Sequence, residues 1–112
     1  MDLVNDLIHL QEKLNASIKA LANNGKALAQ AEMEYKICLR QEALKLRADG
    51  EAVTLINQIV YGIPEVARKR FDRDVAETMY NTAMESINST KLQIRILQSQ
   101  IEKEWSNQWK YI

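Results

Sequence analysis

The chain has little of what small enzymes and secreted domains depend on. In 112 residues it carries one cysteine (Cys38), one histidine (His9), one proline (Pro64), one phenylalanine (Phe71) and three glycines. A single cysteine excludes an intrachain disulfide and a cysteine-rich zinc site, and one histidine adds too little for a soft-ligand metal centre. Basic and acidic residues balance at 15 each, so the surplus of Lys and Arg that drives non-specific nucleic-acid binding is missing. No apolar run approaches the roughly 18 residues of a membrane span. The opening residues Asp2-Leu3-Val4-Asn5-Asp6 form neither a basic nor an apolar signal region, so no signal peptide and a cytoplasmic location are expected. Gly-rich phosphate loops and nucleophile elbows are lacking too. His9 stands near Asp6 and Glu12 without a convergent nucleophile, and Glu32 and Glu34 sit two apart, on different helix faces. The expectation is a protein that is not an enzyme and needs no cofactor.

What is present is helix-forming sequence. Ala, Leu, Ile, Gln, Glu and Lys dominate. From Pro64 to about Trp109 there is no Gly and no second Pro, and Pro suits the first turn of a helix. Within this stretch Ala76, Tyr80, Ala83, Ile87, Thr90, Ile94, Leu97 and Ile101 alternate at steps of four and three, continuing loosely to Trp105. That heptad pattern keeps one seam of a helix against a partner. The N-terminal half supplies the partner. Asp2 can cap a first helix in which Leu3, Leu7, Leu10, Leu14, Ser17 and Leu21 follow one face, widened by Ile8 and Ile18. Asn23-Asn24-Gly25 interrupts it, yet the same phase resumes at Leu28, Ala31, Tyr35 and Cys38. Retained phase favours a continuous or kinked helix; a true break there is the alternative.

Asp49-Gly50 ends the first helix, with Lys45 and Arg47 at its carbonyl-rich end. Residues 51–61 read as a short tip helix, although Val53, Ile56, Ile59 and Val60 leave a strand open. The expected fold is therefore all-α and a single domain: helix 1–48, tip helix 51–61 and helix 64–109, closed into a long antiparallel two-helix hairpin. A symmetric tip places Cys38 near Val75, Leu14 near Gln98 and Ile101, and Leu7 near Trp105. Ile37, Leu39, Leu44 and Leu46, with Met79, Leu92 and Ile96, lie off the seam. Apolar surface left over marks an interface, so self-association into a helical-bundle homo-oligomer is expected, most simply a dimer.

Positive charge is densest near the tip. Lys36, Arg40 and Arg47 share a face of the first helix, and Arg68, Lys69, Arg70 and Arg73 lie at matching height on the last. Arginine offers paired donors to phosphate. Lys36, Arg40, Arg47, Arg68, Arg70 and Arg73, with Thr54 for hydrogen bonds and Tyr61 for stacking, are thus the candidate ligand site. Against this stand Glu65, Asp72, Asp74 and Glu77, which can neutralise the same residues in ion pairs. Trp109 and Tyr111 are candidate partner anchors, since aromatic side chains dominate protein interfaces.

Leu46-Arg47-Ala48-Asp49-Gly50, Val53-Thr54-Leu55-Ile56, Arg73-Asp74-Val75-Ala76-Glu77 with Tyr80, Glu85-Ser86-Ile87-Asn88, Lys91-Leu92 with Arg95, and Gln100-Ile101-Glu102-Lys103-Glu104-Trp105 together resemble a group of small uncharacterised helical proteins from phages and prophages of Gram-positive bacteria. The resemblance covers about residues 35–106. It implies a phage context in the host cytoplasm and, by itself, no activity. Small phage proteins of this kind are often accessory factors. With the basic tip and leftover apolar faces, the expectation is an oligomer that counters host defence by sequestering a phosphate-bearing nucleotide signal or a defence protein. A DNA-associated replication or recombination factor is the alternative.

Overall fold

A computed structural model describes residues 2–110. Among the described residues all regular structure is helical: α1 (Leu3–Ala48), α2 (Val53–Ile59) running into a 3₁₀ turn (Val60–Gly62), and α3 (Pro64–Lys110). No described helix is long and apolar enough to cross a membrane. The Asn23-Asn24-Gly25 stretch lies inside α1 without a break, and residues 53–59 are helix, not strand.

Each boundary has a local cause. Asp2 caps α1, its Oδ1 accepting from the backbone N–H groups of Val4 (3.0 Å) and Asn5 (3.3 Å). At the other end Gly50 takes a left-handed φ of 92°. Its N–H donates to the Arg47 carbonyl (3.0 Å), and the Glu51 N–H donates to the Leu46 carbonyl (3.1 Å). This pair of bonds is the Schellman motif, which satisfies carbonyls the helix leaves over. Ile63 is extended, as a residue before proline must be, and Pro64 opens α3.

Two compact units divide the chain: Met1–Ala22 with Asn81–Ile112, and Asn23–Tyr80. In the second, α1 and α3 run antiparallel: Gly25 faces Tyr80, Tyr35 faces Arg73 and Glu34 faces Lys69. These partners lie roughly one to two turns closer to the tip than a symmetric connection gives. The reason is the position of α2. It does not cap the end of α1 but folds back beside its last turns, where Val53, Ile56 and Asn57 share a cleft with Arg40, Ala43, Leu44 and Arg47. Ile56 and Val60 turn inward there, and Val66, 0% exposed, completes the small core.

In the first unit the α3 seam is well packed. Ile87 and Leu97 are buried, with Ile94 and Ile101 half-buried between and beyond them. Thr90 is polar at a seam position yet only 1% exposed; its hydroxyl donates to the Ser86 carbonyl one turn back (2.8 Å). Leu10 and Leu97 line one groove, about a turn out of the expected register. Three expectations change here. Ile8 and Ile18 are exposed and do not widen the seam, and Trp105, to which the seam pattern loosely continued, is 61% exposed.

Candidate functional site

The candidate ligand residues occupy several separate positions in the second unit. Arg40 and Arg47 share the cleft beside α2, which has a volume of about 250 Å³ and a floor of Ala43, Leu44, Val53 and Ile56. Neither arginine has an ion-pair partner among the described residues. Tyr61 pairs instead with Arg70, whose guanidinium carbon lies 6.0 Å from the ring centroid. Arg73 stacks on Tyr35 at 4.9 Å, and its guanidinium donates to Asp74 at 2.8 and 3.0 Å. The bond to Asp74 raises the Arg73 pKa. Lys36 points at Glu32 (3.6 Å), next to Ala29, Met33 and Ile37. Arg68 and Thr54 are exposed and contribute to none of these groupings.

Ion pairing thus consumes part of the tip charge. Lys69 reaches across to Glu34 (3.6 Å) and Lys45 back to Glu42 (3.1 Å). The Glu34 carboxyl is held below its ordinary value of 4.5, first by the Gln30 amide that donates to it and then by Lys69. Lys45 is held above its ordinary value by the bond to Glu42. Of the acids expected to neutralise the tip, Asp74 does so on its own helix, to Arg73. Glu65 and Asp72 form no ion pair among the described residues.

Apolar surface off the seam is a second feature. On α1, Met33, Ile37 and Leu44 are exposed; on α3, Phe71 (66% exposed), Val75 and Met79. Leu39 and Leu46, expected off the seam and bare, are half-buried, while Val75, expected against Cys38, is exposed. Met33 and Phe71 belong to this surface although the sequence reading passed over them in that role. Met33 was legible in principle, lying one helical turn before Ile37 on the same face. In the first unit Leu92 and Ile96 are exposed, and Ile96 borders a groove of about 460 Å³ with Asp6, His9, Leu10, Gln93 and Gln100. His9 stands 3.9 Å from Glu12, and both are well exposed. Tyr111 and the side chain of Trp109 lie outside the described residues.

Comparison with protein families, curated proteins and solved structures returns no match.

Proposed function

We propose that this chain is a non-enzymatic phage accessory protein that acts by association. It forms a long two-helix hairpin, assembles with copies of itself in the host cytoplasm, and sequesters a host defence protein. One observation carries this reading: large apolar side chains lie bare on helix faces away from the seam, while Lys36, Lys69 and Arg73 are already engaged by carboxylates. Bare apolar surface suits a protein partner. A nucleotide signal needs several cations converging on its phosphates, whereas Arg40 and Arg47 share a cleft apart from Arg70, which pairs with Tyr61, and Arg73, which stacks on Tyr35. A DNA-associated role draws less support still, because acids are interleaved with the bases and the net charge is zero.

The test is native mass spectrometry of the chain recovered from infected host cells, paired with plaque counts on hosts carrying defence systems. A multimer of the 12.9 kDa chain retaining a defence protein, with plaques restored when the chain is expressed, is the expected result. A multimer that retains only a small nucleotide transfers the reading to the signal-binding version. A bare mass with no rescue of plaques contradicts both.

A further inference from the structure

Two lines of side chains on opposite members of the α1–α3 pair match one another, and the match fits contact between two copies. On α1 the line is Met33, Ile37, Arg40, Leu44 and Arg47, at steps of four, three, four and three. On α3, read backwards from Met79, it is Met79, Val75, Asp72, Arg68 and Glu65, at the same steps. All ten residues are exposed; Arg40, Leu44 and Arg47 also border the cleft beside α2 of their own chain, and remain open to solvent there. Laid antiparallel, Met33 meets Met79 and Ile37 meets Val75, apolar against apolar. Arg40 meets Asp72 and Arg47 meets Glu65, opposite charges in both cases. Only the Leu44–Arg68 position mixes types, and an arginine stem covers apolar surface well while its head stays in water.

The charges carry the argument. Arg40 and Arg47 have no ion-pair partner within the chain, and neither have Asp72 and Glu65, among the described residues. Each pair is seven residues apart, about 10.5 Å along a helix, so both contacts form in one register. Sliding α3 by one turn sets Arg40 against Val75 or Arg68 and loses both. Pairing of two α1 lines is disfavoured, because it brings Arg40 and Arg47 toward the same residues of the second copy. We infer that α1 of one copy receives the Glu65–Met79 face of α3 from a second copy, antiparallel and in this register. The contact rests on the self-association proposed above and specifies its surface.

Charge reversal tests it, read by sedimentation velocity with helicity checked by circular dichroism. R40E/R47E and E65R/D72R should each dissociate at least tenfold more readily than the natural chain. Mixed in equal amounts, the two variants should reassociate, since each supplies the face the other lacks. The combined four-fold variant should also regain assembly. A second measurement does not depend on charge: in a C38A background, I37C mixed with V75C should form a disulfide-linked pair under mild oxidation, and either alone should not form it. A monomeric natural chain overturns both this contact and the self-association beneath it. A multimer indifferent to charge reversal, or one whose mixed variants fail to reassociate and to crosslink, overturns this contact alone.

Discussion

Replacing Gly25 and Gly50 by alanine is the same chemical change at two positions, and it should have opposite signs. Gly25 is inside α1, where glycine is less favourable than alanine by about 0.8–1 kcal/mol through its extra backbone freedom. A Cβ there would stand 3.4 Å from Tyr80 Cε2 and 3.7 Å from Cδ2, at the near edge of ordinary van der Waals contact. The gain in helix propensity should therefore survive, and G25A should stabilise by just under about 1 kcal/mol. Gly50 has open space around its Cβ position, but its φ of 92° is a conformation that costs an L-residue about 1–2 kcal/mol. G50A should thus destabilise by that amount. For a domain of this size about 1 kcal/mol moves the melting temperature by roughly 4–8 °C, so the two variants should melt about 7–24 °C apart, on either side of the natural chain. Thermal unfolding followed by circular dichroism measures this, at one fixed protein concentration because association shifts the midpoint. Destabilisation by G25A would show that Tyr80 packs against a glycine that must stay bare, and an unchanged G50A would remove the Schellman end from the account.

Other perturbations follow from the same packing. V66A removes two methyl groups from the most buried side chain of the tip and should cost about 2 kcal/mol, seen in urea unfolding. R73A should lower the melting temperature more than R68A, because Arg73 stacks on Tyr35 and bonds Asp74 whereas Arg68 is merely exposed. The depressed pKa of Glu34 gives a contribution to stability that is complete above the unfolded value and fades as pH falls through the folded one. It follows that E34Q should flatten the acid limb of the stability profile below about pH 4.5, with a small effect because the pair is exposed.

The seam was legible because a heptad with no glycine or second proline leaves a helix only one way to bury it. Leu10, Tyr35, Ile87 and Leu97 all fall on it as read. The register was not. Sliding two apolar seams by a turn still sets apolar on apolar, so the choice falls to the connection, and the folding of α2 back beside Arg40–Arg47 cannot be read from residues 51–61. Leu39 and Leu46 changed sides for a related reason. A straight helix of 3.6 residues per turn drifts about 20° per heptad from a strict seven-residue repeat, and near the end of α1 that drift carries the seam from Cys38 toward Leu39 and Leu46. Ion pairs within a helix, such as Glu32 with Lys36, are visible in spacing alone. Glu34 with Lys69 needs the register first, as does Arg73 over Tyr35. The separation of Arg40 and Arg47 from Arg70 and Arg73 likewise depends on where α2 lies.

On the proposed self-association, Met33, Ile37, Val75 and Met79 are bare only until another copy arrives. Sedimentation equilibrium of the natural chain over a hundredfold dilution tests it directly. A mass that is a multiple of 12.9 kDa at the upper concentrations, falling toward the single-chain mass on dilution or when I37D is introduced, is the expected result. A single-chain mass at every concentration would contradict it.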